Sequence, residues 1–395
     1  MIIKSILDSD LYKFTMQQAV IKKFPDAKVR YKFINRNANI SGKSGEKFPS
    51  GFAEKLRREV KEMEKLSLSF SEKEWMKKAC PFLDPTYLDF LEGYKYDSSE
   101  VGIIQNGGDL EISIEGYWYR TILWEVPLMA LVSELYMSEQ VVFMPRDDRE
   151  KRNKFKFRTF EMKNMSVADF GTRRRASYDI QEEFVKDAVQ YSMNGKFFVG
   201  TSNVYLAYKN NIKPIGTHAH EWFMFHGAKY GFKMANHLAL ENWVDVYRGD
   251  LGIALSDTFT TKAFFKVFDK KFAKLFDGVR HDSGDPIEFA IDVINHYKKL
   301  GINPLSKTII FSDGLDVAKA EKISYFCKGK VGFSFGIGTN FTNDVGGIPL
   351  NIVIKMTEAK PYGDEWIPTI KLSDSPGKHL GDKKMIEMCK YSLNL

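Results

Sequence analysis

A chain of 395 residues, 44% hydrophobic and 14% aromatic, is long enough for two or three folding units with filled cores, which excludes a disordered or low-complexity protein. Its 58 basic and 51 acidic residues are interspersed and leave a formal charge of +7, a mild surplus that suits small phosphorylated anions and does not call for nucleic acid. The sequence contains no run of about 18 apolar residues and no secretory pattern, and its three scattered cysteines, Cys80, Cys327 and Cys389, read as structural thiols, so the expectation is a cytoplasmic protein with no membrane partner.

From the amino terminus, SILDSDLYKFTMQQAVIKKF joins a polar cluster to apolar residues at helical spacing (Leu11, Phe14, Ala19, Ile21), which predicts a short amphipathic helix opening at Tyr12 and Lys13. Residues 27–35 alternate like a strand, and ISGKSGEKF (40–48) reads as a flexible loop. Residues 51–92 are helical in pattern, and DLEISIEGYWYR (109–120) returns to alternation. Residues 1–123 are therefore predicted to form an amino-terminal α+β domain. The basic run KRNKFKFR (151–158) reads as a solvated helix face.

From 124 to 344 strand and helix alternate regularly, the pattern of βαβ units and parallel strands. Seven strand candidates, SVADFGTRR, KFFVGTSN, KPIGTHAH, LGIALSDT, GVRHDSGDP, TIIFSDGLD and FSFGIGTN, each end in glycines, hydroxyls, carboxylates or arginines. Amphipathic helical segments follow most of them, at 233–247, 262–276, 286–300 and 317–327. Polar residues at the carboxyl ends of successive parallel strands suit a β/α barrel, whose interior is packed and whose chemistry sits on one rim. An open doubly wound sheet concentrates ligands at a single switch point instead. The predicted class is thus α/β, an irregular TIM-like β/α barrel over 124–344. Beyond it, within 345–395, NIVIKMTEA and PTIKLSDSPGK read as two antiparallel strands around a turn near 361–364, followed by a tail helix. That piece is expected to pack on the first domain or the barrel edge.

Five strand endings carry candidate chemistry. GTHAHEW (216–222) places His218 and His220 two residues apart; the pair is either an HxH metal site of a barrel hydrolase, alternate strand residues sharing one face, or something else. FGTRRRAS offers Arg173, Arg174 and Arg175, whose guanidinium groups can grip phosphates, or else a solvated helix start. RHDSGDP sets Arg280, Asp282 and Ser283 in one turn, a combination that can hold an anionic substituent and ribose hydroxyls or a metal-bound phosphate. Ser312, Asp313 and Gly314 with Gly338 and Thr339 occupy the last two endings, where backbone N–H groups often cradle a phosphate, although tight packing explains glycines equally well.

Taken together, DSDLYKFTMQQ, FGTRRRAS, GTSNVYLA, GTHAHEW, RHDSGDP, FSDGLD, FGIGTNFTND, PLNIVIKM and KLSDSPGK resemble, in order and over nearly the whole chain, the nicotinate phosphoribosyltransferase family. The resemblance implies a ligase-class enzyme that joins nicotinate to 5-phosphoribosyl-1-pyrophosphate (PRPP) with coupled ATP hydrolysis, and a homodimer in which one subunit's Tyr12 completes the other's site. It implies that Phe170 and Tyr12 sandwich the pyridine ring, with Thr201 and Ser202 in the substrate site. Arg280 would meet the nicotinate carboxylate or a nearby anion, Asp282 the ribose hydroxyls and Arg173 the phosphoribosyl group. Asp313, Gly314, Gly338 and Thr339 would cradle the 5-phosphate. His220 would be the phosphorylated histidine, with Asp257 or Glu221 orienting it. Mg²⁺ would accompany pyrophosphate and ATP, without an assigned protein ligand. Relatives that use nicotinamide carry Asp where this chain has Ser202, so nicotinate is the expected substrate and a nicotinamide-specific enzyme the alternative. A non-enzymatic binding protein is the remaining class, to be told apart by the absence of pyrophosphate release.

Overall fold

The computed structural model describes residues 1–36, 47–192, 197–363, 365–375 and 378–395, so most of the loop expected at 40–48 lies outside the described residues. Two sheets organise the chain. The first combines β1 (Lys28–Asn35), β2 (Val101–Asn106), β3 (Asp109–Tyr117), β10 (Ile352–Lys360) and β11 (Ile367–Pro368) in the order β11-β10-β1-β3-β2. Every pairing in it is antiparallel. β3 shows why: Leu110, Ile112 and Ile114 are buried while the residues between them face outward, the period-two pattern of a sheet covered on one side. β10, from the far end of the chain, pairs with β1 along eight residues from Lys28↔Lys360 to Asn35↔Ile352, so the carboxyl-terminal segment completes this sheet from within.

The second sheet contains β4 (Val167–Asp169), β5 (Phe198–Thr201), β6 (Ile253–Leu255), β7 (Gly278–His281), β8 (Thr308–Phe311) and β9 (Gly332–Ile337), in the order β5-β4-β9-β8-β7-β6 and parallel throughout. These strands are short and apolar, as expected for strands with helices packed outside them. The expected irregular barrel is not closed: among the described residues the six strands form an open sheet with β5 and β6 at its edges. KPIGTHAH, the third of the seven strand candidates, occupies the space between them without forming a strand. Pro214 makes an isolated bridge to Thr201, Ile215 N–H donates to Thr201 O (2.8 Å), and Thr217 Oγ1 donates to Ile253 O (3.0 Å). The imidazole of His218, not its backbone, then accepts from Leu255 N–H (3.1 Å). A side chain has replaced a ladder bond, and the sheet is interrupted at the GTHAH motif.

Other differences are local. The segment expected as one helix over 262–276 is two, Thr261–Val267 and Lys270–Leu275, broken where Asp269 caps the second. The alternation predicted to run to Arg120 ends at Tyr117, and a short helix Trp118–Thr121 follows. The basic run lies on helix Arg146–Met162, where Arg152 and Lys156 both pair with Asp344 (2.6 and 2.8 Å) and Phe157 packs on Phe184 and Phe197. Residues from both halves of the chain share one core: Phe24, Trp118, Trp222 and Phe225 pack ring against ring, tying helix Leu11–Lys23 and the end of β3 to helix His220–Tyr230. No helix among the described residues is long and apolar enough to cross a membrane. All three cysteines are free and buried.

Candidate active site

A cavity of about 320 Å³ opens over the carboxyl ends of the parallel strands and under β10. Its wall holds seven cationic side chains, Arg36, Arg173, Arg174, Arg280, Lys355, Lys371 and Lys378, against four carboxylates, Asp10, Glu125, Asp282 and Asp313. The surplus of positive charge fits a polyanion, and the aromatic residues Tyr12 and Phe170 on the same wall fit a flat ring. Tyr12 here belongs to the same chain as the cavity. Helix Leu11–Lys23 packs directly on the GTHAH segment, through Thr15 Oγ1 to Thr217 O (2.6 Å), and carries Tyr12 into its own chain's cavity, where the resemblance implies the partner subunit's Tyr12.

The placement of Phe170 explains a glycine. A Cβ at Gly336 would come within 2.4 Å of the Phe170 ring, so only glycine in β9 lets that ring lie against the strand. Gly338 serves the same fit: its Cβ would meet Phe170 O at 3.2 Å. Gly338 and Thr339 are not part of the cavity lining, although Gly336 of the same FGIGTN stretch is, and Thr339 opens a short helix, Thr339–Thr342. Gly314, by contrast, does line the cavity, in a left-handed turn (φ 56°) that favours glycine, with Ser312 and Asp313 before it. Asp313 accepts from Lys378 Nζ (2.6 Å).

FGTRRRAS divides its arginines. Arg173 and Arg174 line the cavity, while Arg175 turns into the core and forms a fully buried bidentate pair with Asp8 (2.7 and 3.0 Å). Burial, together with Arg173 and Arg36, pushes Arg174 down to about 10, the mark of cations crowded without enough counter-charge. Lys355 is pushed down to about 8 by burial, although Glu125 lies 3.9 Å away. Thr201 and Ser283 are behind the wall: Thr201 Oγ1 donates to Asp169 (2.7 Å) and Ser283 Oγ to Asp257 (2.5 Å). Ser202 faces the cavity, and its hydroxyl donates to Asp10 (2.7 Å), whose carboxyl is raised by burial against the opposing pull of Arg173.

His220 begins helix His220–Tyr230 and is buried at the cavity wall. Its Nδ1 lies 3.0 Å from Thr258 Oγ1, and its Nε2 lies 2.9 Å from Asp282 Oδ2 and 2.7 Å from Lys371 Nζ. Asp257 stands 3.6 Å from the same Nε2. Burial and the Lys371 charge push the imidazole down to about 4 in spite of both carboxylates, so it is neutral at neutral pH. Asp282 stays ionised: burial resists its charge, but Arg280, His220 and Lys371 hold it well below the usual carboxylate range. Arg280 reaches Asp282 Oδ1 (3.2 Å) and Ser312 Oγ (2.9 Å).

Of the two expected neighbours of His220, only Asp257 is beside it. Glu221 points to the opposite side of the helix, where Lys13 Nζ donates to it (2.8 Å). His218 cannot join a metal pair, because Leu255 N–H occupies its Nε2 and the ring is packed edge-on against Trp243. The group with ligand-like spacing is instead His220, Asp257 and Asp282, whose atoms lie within 4.8 Å of one another. The Lys371 ammonium sits among them, 3.5 Å from Asp257 and 4.0 Å from Asp282, and supplies the positive charge there. Sequence reading passed over Lys371, Lys355, Lys378 and Arg36 as site residues. Arg36 directly follows β1 with no signal of its own, and the one signal for the three lysines was that PLNIVIKM and KLSDSPGK carry them into otherwise apolar or turn-forming stretches.

Two family models match the chain: the nicotinate phosphoribosyltransferase (NAPRTase) family over residues 165–395 and the NAPRTase N-terminal domain over residues 7–133. A nicotinate phosphoribosyltransferase of Chromohalobacter salexigens is 57% identical, covering 99% of this chain and 98% of its own, and one of Desulforapulum autotrophicum is 50% identical over 98% of each. Among solved structures, the nicotinate phosphoribosyltransferase of Porphyromonas gingivalis superposes with a TM-score of 0.95 at 43% identity over the full length of both chains.

Proposed function

The chain belongs to the nicotinate phosphoribosyltransferase family and is an enzyme, and from that premise we propose that its cavity joins nicotinate to PRPP, releasing nicotinate mononucleotide and pyrophosphate, with ATP hydrolysis coupled through a phosphoryl group on His220. The observation that carries this reading is the joining, in one cavity, of an aromatic end, a cationic wall and a buried neutral imidazole. Tyr12 and Phe170 flank the pyridine ring. Arg173 and Arg280 meet its carboxylate and the neighbouring phosphate, and Asp282 takes the ribose hydroxyls. In the transfer, the bond from the anomeric carbon to pyrophosphate oxygen breaks and the bond to the pyridine nitrogen forms. Charge develops on the sugar and on the leaving group, so positioning and electrostatics suffice and no side-chain nucleophile is needed for this step.

The coupling step needs a nucleophile, and a neutral imidazole is one. With the ring proton on Nδ1 toward Thr258, Nε2 carries the lone pair, which Lys371 Nζ caps at 2.7 Å and must release before attack. Nε2 attacks the terminal phosphorus of ATP, ADP departs, and the phosphoryl group later passes to water. Lys371 then faces the phosphoryl oxygens. Mg²⁺ would accompany pyrophosphate and ATP, offset their charge and take oxygen ligands; Asp313 is the wall carboxylate that could face it, whereas the His220, Asp257 and Asp282 group already encloses an ammonium.

The test is pyrophosphate release from PRPP with nicotinate, nicotinamide or quinolinate, each with and without ATP. Nicotinate should be used best and ATP should stimulate it. His220→Ala should keep a residual transferase but lose both the ATP response and the acid-labile phosphoryl label. Labelling that persists in this variant overturns the assignment of His220, and a preference for nicotinamide overturns the assignment of the substrate.

A further inference from the structure

Beside the cavity lies a second cluster that the reaction above does not use. Lys13 is fully buried, and its ammonium pairs with Glu125 Oε2 at 2.5 Å and Glu221 Oε2 at 2.8 Å. Each partner is anchored elsewhere. Glu221 also accepts from Trp118 Nε1 (3.4 Å), and Glu125 approaches Lys355 at 3.9 Å. Burying three ions in one group is costly, and without Lys13 two carboxylates from different helices would face each other unpaired. Solvation gives no reason for such a cluster here.

Its connections suggest one. Lys13 follows Tyr12, whose ring lines the cavity, and Glu221 follows His220, whose ring forms its wall. Helix Leu11–Lys23 also meets the His220 loop at two further points, Thr15 Oγ1 to Thr217 O and Ala219 N–H to Met16 Sδ (3.3 Å). The ring-binding end and the phosphoryl-accepting end are thus joined by a short buried ionic strut. We propose that Lys13 and Glu221 are positioning residues that couple the state of His220 to the grip of Tyr12 on the pyridine ring.

This proposal rests on the phosphohistidine reading above. Phosphorylation adds about two negative charges at the first residue of helix His220–Tyr230. Lys371, Asp257 and Asp282 must rearrange around that charge, and any shift of the helix start moves Glu221 with it. Through Lys13 the shift reaches Tyr12, so nicotinate affinity differs between the two states of His220. By linkage, bound nicotinate favours the phosphorylated state to the same degree.

The experiment measures KM for nicotinate and for PRPP, with and without ATP, in the wild-type chain and in Lys13→Met, Lys13→Arg and Glu221→Gln, with thermal melts to confirm folding. In the wild type, ATP should lower the nicotinate KM by about fivefold or more, the range of ordinary coupling. In Lys13→Met and Glu221→Gln that ratio should fall toward one while the PRPP KM moves less than about twofold, and Lys13→Arg should restore part of it. A simple packing role would lower stability and kcat and leave the ratio intact. If Lys13→Met does not fold, Glu221→Gln, which leaves Lys13 paired with Glu125, decides the matter alone. A wild type indifferent to ATP overturns the coupling reading and this proposal with it. An ATP-responsive wild type whose response survives in the folded variants overturns the strut only.

Discussion

At the scale of single residues, the cavity shows how burial tunes chemistry. His218 and His220 are both pushed far below the ordinary histidine range, to about 3 and about 4, but for different ends. His218 is desolvated in the core and accepts a backbone N–H, a bond that only its neutral form can make. His220 is neutral beside two carboxylates because burial, helped by the Lys371 charge, outweighs them. Lys355 offers a measurable consequence. With its ammonium pushed down to about 8, it is charged below that pH and loses its charge as the pH rises through it, so kcat/KM for PRPP should show an alkaline limb near pH 8. Arginine keeps its charge there, and Lys355→Arg should flatten the limb; a limb unchanged in that variant would assign it to another group.

At the scale of elements, the turns at the cavity are held by caps and helix starts as well as by strands. RHDSGDP runs from β7 into helix Pro286–Lys299, and Asp285 caps that helix by accepting from Ile287 N–H (2.8 Å) and Glu288 N–H (3.0 Å), with Pro286 in its first turn. The preceding Ser283 is tied to Asp257, and Asp374 N–H donates back to Ser283 Oγ (3.0 Å), so the turn bearing Asp282 is clamped from three elements. Asp285→Ala should therefore cost about 1 kcal/mol of stability, the usual worth of a cap, and leave KM for both substrates within a factor of about two. A thermal melt paired with steady-state kinetics checks it, and a large rise in KM would show that the cap, not the clamp, holds Asp282.

At the scale of the whole molecule, the two ends of the chain close over the strand ends of the middle. Helix Leu11–Lys23 brings Tyr12 and Lys13, and β10 with the segment after β11 brings Lys355, Lys371 and Lys378. Tyr12 and these lysines are placed by contacts within the chain, so specific activity should stay constant on dilution through any dimer dissociation. A steep loss at low concentration, reversed by concentrating the sample, would return Tyr12, or another essential group, to a partner subunit.

Much of this was legible in the residues. Alternation in β1 and β3, short apolar strands ending in Arg280, Asp282, Ser312 and Asp313, and the helices between them follow from local periodicity and from turn chemistry, which depend on neighbours a few positions apart. The ordered motifs also pointed to the family. What local pattern could not decide was which side of an element each polar residue takes. Glu221 and His220 are adjacent, yet one faces a buried lysine and the other the cavity. Arg173 and Arg175 are two apart, and one meets the cavity while the other meets Asp8. Gly314 and Gly338 follow neighbouring strands, yet the first lines the cavity and the second lies against the Phe170 backbone. The interruption of the sheet at GTHAH and the arrival of Lys371 at His220, 151 residues away in sequence, are contacts between distant segments. Sequence alone determined the elements and the chemistry available to them; tertiary packing determined which of those groups meet, because burial and charge pairing act across space and not along the chain.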